Sequence, residues 1–565
     1  MTARPRLWHD GTMPDYPLVP LPALEPETEF FWRACRAERL EFHRCDGCGW
    51  YQHPPRPRCH RCQRSNFTAT PVSGRGTLVS WTVNHQKWMP TMEVPYALGL
   101  VELDEQAGLR LTTRIVGCAP TALTIGMPVR VQFEAVSDEI ALPYFAPDPQ
   151  RTARDTGSMV CAPRTRPVRP PTEQVLERRA VLSGVAQSQI GRRLMRGDLD
   201  LTCEAALGAI DDAGLTVQEI DGLACYPGPM LGGPAGFSGP GTQEVQDALG
   251  LELGWHASGC EGAAQIAPVM QAALAVAAGL CRHVLVYRTV TEATAQALAQ
   301  SGRAGIGAGS RHISGFGQWL IPFGAMSAGC WLAMHAVRHM HEFGTIREQL
   351  GEIVLAARAH AALNPAAIYR TPLSMDDYLS ARLISWPFGL YDCDAPCDGA
   401  TAVIVSAAET AGDLRQPPTR IHAMGSSIRQ RPVWDQWEDL TTMAARDAAD
   451  QMWARADLKP EDVDTAQLYD GFSWLTLCWL EALGFCGRGE GGPFVEGGRV
   501  RLGGSLPLNT WGGQLSGGRL HGFGFLAEAI RQLRGTCGDR QVPDCEVAVV
   551  AAGGGPIAGC LLLTR

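Results

Sequence analysis

Two stretches decide the fold: LTVQEIDGLACYPG, Leu215 to Gly228, and LKPEDVDTAQLYDG, Leu458 to Gly471. Side by side they match a leucine, an Ile/Val-Asp pair, a tyrosine and a glycine at the same offsets. A second pair follows in the same order, GAAQIAPVMQAALAVAAGLCRHVLVY and then GFGFLAEAIRQLRGTCGDRQVPDCEVAVV, each reading as a glycine-led helix and an apolar strand. Short apolar runs alternating with helical periodicity predict a duplicated α/β unit, its strands mostly parallel and buried between helices. The dividing segment is ETAGDLRQPPTR, Glu409 to Arg420, so residues 178–410 form one half and 411–565 the other.

Upstream, CDGCGWYQHPPRPRCHRC places Cys45, Cys48, Cys59 and Cys62 as two CxxC knuckles ten residues apart. Four thiolates on two knuckles complete a tetrahedron suited to Zn²⁺, or to iron in a rubredoxin-like site, and leave the metal no open position. The site is therefore expected to be structural. The alternating runs GTLVSWTVNHQ, YALGLVELD, LRLTTRIVG and MPVRVQFEAV follow, and they predict a small β-barrel. The expected order is a helix and ribbon in 1–70, a barrel in 71–147 and an exposed, Arg/Pro-rich linker in 148–177.

Composition narrows the function. A net charge of −9, with no basic groove interleaved with aromatics, argues against nucleic acid. The longest apolar runs fall short of a membrane span, and the N-terminus lacks a signal-peptide core. The nineteen cysteines then read as reduced thiols of a cytoplasmic protein plus the metal site. Only two lysines occur, Lys87 in the barrel and Lys459 in a turn, so a Schiff-base mechanism is disfavoured. HAVRHMH, with His335, Arg338 and His339, is expected on a helix surface rather than at a metal.

HMHEFGTIREQLGEIVLAARAHAALNP, CDGATAVIVSAAE, LYDGFSWLTLCWLEALGF and the loop NTWGGQLSGGRLHGFG together span most of residues 178–565, and they resemble the thiolase superfamily. The similarity is to sterol-carrier-protein-X thiolases and to the lipid-transfer-type steroid side-chain aldolases. The ribbon and barrel resemble the zinc-ribbon/OB-fold domains that accompany such acyl-CoA proteins. The resemblance implies a duplicated five-layered α/β/α/β/α fold, a homodimer through the large domain, an acyl-CoA substrate and no NAD.

Thiolysis needs a nucleophilic cysteine and an activating histidine. The nucleophile slot falls near Gly262 with Cys260 displaced from it, Ala551 and Ala552 precede the late glycines, and Arg519 fills the histidine slot. Two glycine-led helices would still form an oxyanion hole. That suits retro-aldol or aldol chemistry on a β-hydroxyacyl-CoA. The candidate bases are Tyr469, its pKa lowered by Arg519 and His521, and His521 itself, with Asp470 orienting. Gly262, Asn509, Gly518, Arg519 and Cys260 are the expected oxyanion and substrate contacts. Competing readings are a thiolase using Cys260, a ketosynthase-like condensing enzyme and a non-catalytic acyl-CoA or lipid carrier.

Overall fold

The computed structural model describes residues 19–89, 92–160, 175–228, 234–259, 264–301, 312–428 and 434–565. The strands Trp255–Ser258, Gly222–Cys225, His283–Thr291, Asp398–Ala407 and Ala180–Gln187 lie side by side in that order. Thr419–Ile428, Ile557–Thr564, Val547–Ala552 and Thr465–Leu468 continue the sheet to nine strands. The halves meet where Val181 pairs with Arg420 and Leu182 with Thr419.

The repeat extends to single hydrogen bonds. Asp221 accepts the amides of Arg282 and His283 at 2.9 and 2.8 Å, and Asp464 those of Glu546 and Val547 at 2.8 and 2.9 Å. Each aspartate ties the entry of one strand to the start of its neighbour. The counterpart of Trp255–Ser258 differs: among the described residues it is a single parallel bridge between Ala466 and Leu508.

The expectation of mostly parallel strands is corrected, since three neighbour pairings are parallel and five antiparallel. One reversed strand per half, Asp398–Ala407 or Ile557–Thr564, sits between neighbours that run the other way. In the second half the reversal is a hairpin through Gly553–Pro556, and a short hairpin can only join antiparallel strands. In the first half, residues 292–397 stand in place of that turn.

Alternation along the strands divides the core into layers. Leu285, Tyr287, Ala402 and Ile404 pack with the helix Asp198–Ala213. Val284, Val286, Val403 and Val405 pack with the helices Ala267–Ala277 and Phe523–Arg534, as do Leu561 and Leu563 from the second half. Cys560 and Leu562 face outward, toward Ala445–Trp453.

The strands Arg75–Asn84, Tyr96–Leu103, Arg110–Ile115, Ala141–Pro147 and Pro128–Ala135 pair in that order, and the last closes onto the first through Gly76 and Val129. Closure removes exposed strand edges. The barrel is built into the large domain. Ser385 of Leu383–Ser385 pairs with Asn84, and the amides of His85 and Gln86 donate to the Ile384 carbonyl at 2.9 and 3.2 Å.

One expectation is corrected here. HAVRHMH is not on a surface: His335, Arg338 and His339 are buried, because their helix Ala328–Phe343 is pressed beneath the barrel. A buried guanidinium is costly unless fully paired. Arg338 donates to the Val79 carbonyl at 3.2 Å, Thr156 Oγ1 at 2.9 Å, the Gly157 carbonyl at 2.6 Å and Glu342 at 2.8 Å. In the stretch expected as an exposed linker, residues 149, 150, 152–155, 157 and 158 are exposed, and two contacts pin it before residue 160. Arg151 pairs with Asp104 at 3.0 Å, the Met159 amide donates to Glu342 at 2.8 Å, and the Met159 side chain is buried.

Candidate active site

A cavity of about 670 Å³ opens where the two central helices begin. Its lining includes Ala264 and Gln265 ahead of one helix, His521 ahead of the other, and the hairpin residues Gly553 to Pro556. The two helix starts touch, for a Cβ placed on Gly522 would lie 3.0 Å from that of Gln265. Both repeat-related tyrosines, Tyr226 and Tyr469, reach the cavity, and so do Arg519, Asp394 and Phe237. Cys260 and Gly262 lie outside the described residues.

The glycine-rich loop distributes its residues unevenly. Asn509, expected at substrate, is spent on the backbone: its Oδ1 accepts the Leu468 amide at 2.7 Å and its Nδ2 donates to the Leu468 carbonyl at 2.9 Å. It supplies the pairing that the missing third strand would have made. Gly518, also expected at substrate, sends its amide to the Gly513 carbonyl at 3.3 Å. Its φ of +128° and the 3.2 Å from a would-be Cβ to the Cys397 sulfur explain the glycine. Asp470 is buried behind Tyr469 and accepts the Gln514 amide at 2.8 Å, anchoring the loop. Burial pushes its carboxyl up to about 7, against the opposing backbone amides of Gln514 and Leu515.

Arg519 is clamped. Its guanidinium meets Glu292 with two bonds of 2.7 Å and Asp394 with one of 3.2 Å. Burial pushes the Asp394 carboxyl up to about 6, Arg519 opposes the rise and Glu292 adds to it. The Tyr469 phenol is raised, by burial first and by Asp394 second, with Arg519 only partly opposing. The expectation that Arg519 and His521 make Tyr469 a ready base is therefore corrected: the phenol stays protonated.

His521 is corrected likewise. Arg288 Nη2 lies 2.6 Å from its Nδ1, and a guanidinium can only donate, so Nδ1 is the acceptor. Burial, then Arg288 and Arg519, hold the imidazole well below its usual pKa. The ring is neutral, its proton is on Nε2, and it offers a donor to the cavity it lines. Its φ of +45° and the bond from its amide to Gln514 Oε1 at 2.9 Å fix the backbone that presents it.

Arg288, Glu292 and Asp394 were missed in the sequence. Arg288 carried a readable signal, a cation inside the apolar run HVLVYRTVT, which must find partners when the strand is buried. Asp394 stands in the acidic run YDCDAPCDG, whose spacing does not say which of its aspartates faces a site.

In the ribbon, the strands Glu41–Cys45, Tyr51–Gln52 and Phe67–Pro71 bring the four cysteines together. Cys45 and Cys62 sulfurs are 3.4 Å apart, Cys48 and Cys59 3.6 Å, and all four lie within 4.8 Å of one another. Zinc–sulfur bonds of about 2.3 Å put tetrahedral sulfurs roughly 3.8 Å apart, so the group fits one such ion.

Residues 426–561 match the family model "Thiolase C-terminal domain-like", and residues 69–134 match "ChsH2, C-terminal OB-fold domain". A steroid side-chain-cleaving aldolase of Thermomonospora curvata is 36% identical over 403 residues, covering 69% of this chain and 98% of the relative. The 17-hydroxy-3-oxo-4-pregnene-20-carboxyl-CoA lyase of Mycobacterium tuberculosis is 35% identical over 399 residues, 69% of this chain and 100% of the relative. A solved Ltp2-ChsH2(DUF35) aldolase is 34% identical with a TM-score of 0.62, covering 69% of this chain and 99% of that one. The chain belongs to the steroid side-chain aldolase family of the thiolase superfamily.

Proposed function

We propose that the chain is an acyl-CoA aldolase, a carbon–carbon lyase that splits a β-hydroxyacyl-CoA into a ketone or aldehyde and a shorter acyl-CoA. The acyl group is a steroid side chain or another bulky hydrophobic group, as the relatives' names suggest. One observation carries the reading: the cavity gathers a carboxyl poised near neutrality, a protonated phenol and a neutral imidazole donor. Its one described cysteine, Cys393, has its thiol pushed far up by burial and by Asp392 and Asp394, so it does not supply a thiolate.

In the proposed step, ionised Asp394 takes the β-hydroxyl proton. The Cα–Cβ electron pair moves onto Cα as the β-carbon becomes a carbonyl, and negative charge develops on the thioester oxygen. His521 Nε2–H and the start of the helix Phe523–Arg534 face that charge. Tyr469 returns a proton to Cα and is reprotonated by the proton that Asp394 took up, which restores both groups. Arg519 and Glu292 hold Asp394 in place, and Asp470 orients the loop. No cofactor or co-substrate is consumed.

The ribbon would hold zinc, through Cys45, Cys48, Cys59 and Cys62, purely as a fold element. Among the described residues the strand Trp255–Ser258 is an edge of the sheet and alternately exposed, which supports a homodimer that extends the sheet. No single helix among the described residues is long and apolar enough to cross a membrane, and the reading places the enzyme in the cytoplasm.

The test is incubation with a panel of β-hydroxyacyl-CoAs without free CoA. The expected result is release of a carbonyl compound in step with a shorter acyl-CoA. Cleavage of a β-ketoacyl-CoA that requires free CoA and is lost in Cys260→Ala, or ligand binding without turnover, would replace this reading.

A further inference from the structure

We infer that the barrel forms part of the substrate site and that Trp88, a barrel residue, determines specificity for the acyl group. The inference rests on the aldolase reading and deepens it. Among the described residues, the polar lining of the cavity, which includes Asp394, Tyr469, Arg519 and His521, comes from the large domain. Two of its large aromatic walls are set by the barrel.

Trp88 lines the cavity directly, four residues beyond the end of the barrel strand Arg75–Asn84. Its indole nitrogen donates to Asn84 Oδ1 at 2.9 Å, and Asn84 Nδ2 in turn donates to the Gln86 carbonyl at 2.7 Å. Gln86 is itself held, by Arg382 at 2.6 Å and by its amide on the Ile384 carbonyl at 3.2 Å. Ile384 is another cavity residue, so the strand addition that docks the barrel also fixes the indole beside it. With its one polar atom satisfied by Asn84, Trp88 has only hydrocarbon surface left for a ligand.

Trp434, a second wall, is placed from the barrel at one remove. Thr112 Oγ1 donates to Asp435 Oδ2 at 2.8 Å, Gln436 Nε2 donates to the Arg110 carbonyl at 2.8 Å, and Arg110 donates to the Trp437 carbonyl. Trp434 is thereby seated on the hairpin turn, where a Cβ on Gly555 would come within 2.6 Å of its ring. Phe472, Leu475 and Leu332 complete an apolar lining around these two indoles. Rigid aromatic planes held by secondary hydrogen bonds suit a rigid, polycyclic apolar acyl group, which loses little conformational freedom on binding. A flexible straight chain would gain less from them.

The experiment measures kcat and KM of the full chain with two β-hydroxyacyl-CoAs, one with a polycyclic apolar acyl group and one with a small branched one. Trp88→Ala is expected to cut kcat/KM for the polycyclic substrate about 30-fold, mainly through KM, and to leave the small one within about twofold. Trp88→Phe, which keeps a ring, should recover most of the loss. Equal falls on both substrates would mean that Trp88 only supports the fold, and no change on either would mean that it does not meet the acyl group. Both results overturn the inference. Should Trp88→Ala not fold, the substrate ratio of Trp88→Phe against Trp88→Leu decides the same question. Wild-type enzyme inert toward both substrates would instead overturn the aldolase reading itself.

Discussion

The two halves of the large domain are copies that have kept their scaffold and divided their chemistry. Asp221 and Asp464 make the same pair of amide contacts, and Tyr226 and Tyr469 reach the same cavity from matching strand ends. The surroundings of the tyrosines differ. Tyr226 lies under the guanidinium of Arg288 at 5.3 Å, whereas Tyr469 shares its neighbourhood with Asp394 and Arg519. Where the second half closes with a four-residue hairpin, Gly553 to Pro556, the first carries residues 292–397, and these bring Glu292 and Asp394 to the site. Duplication supplied two symmetric mouths, and one long insertion made them unequal.

That inequality can be tested by substitution, the sharpest test being the residue with no partner in the other half. Asp394→Asn should lower kcat/KM about 10³-fold by removing the proposed proton acceptor. In the wild type the ionised carboxylate is the working form and its pKa is about 6, so kcat/KM should fall as pH drops below about 6. A pH profile that keeps this acid limb in Asp394→Asn would assign the limb elsewhere.

The next effect compares ring positions. His521→Ala should cost about 10²-fold, and His521→Gln, which retains an N–H donor, about tenfold. Equal losses in the two would mean that the ring works as a base. Among the paired tyrosines, Tyr469→Phe should cost about 10²-fold and Tyr226→Phe no more than about fivefold. Steady-state kinetics giving matched losses would show that the halves have not diverged as described.

The smallest effect should be symmetric. Asp221→Ala and Asp464→Ala each leave two amides without their acceptor, so each should destabilise by about 1–3 kcal/mol and by similar amounts. Chemical denaturation of the two variants gives the comparison, and a gap above about 1 kcal/mol would break the equivalence of the repeat.

What the sequence made legible follows the range of the interactions. Each cysteine knuckle is set by neighbours a few residues away, and the Asp and Tyr positions are legible because the two halves carry the same spacing twice. The reversed strand in each half was not legible, because periodicity says nothing of strand direction. The clamp on Arg519 joins residues 125 and 227 positions apart, and Arg288 reaches His521 across 233. Tyr469 and His521 were therefore found as cavity residues while their protonation states were misjudged. Those states depend on burial and on distant charges.

The seam between barrel and large domain is stitched by main-chain pairing at Asn84 and Ser385 and by the many-armed Arg338, not by the covalent thread alone. A protease nick in the connecting segment should therefore be silent, leaving a two-piece enzyme that stays clasped. The large piece made on its own would leave Arg338 with Glu342 alone and present bare indoles to water, so each fragment acts in effect as the other's folding partner.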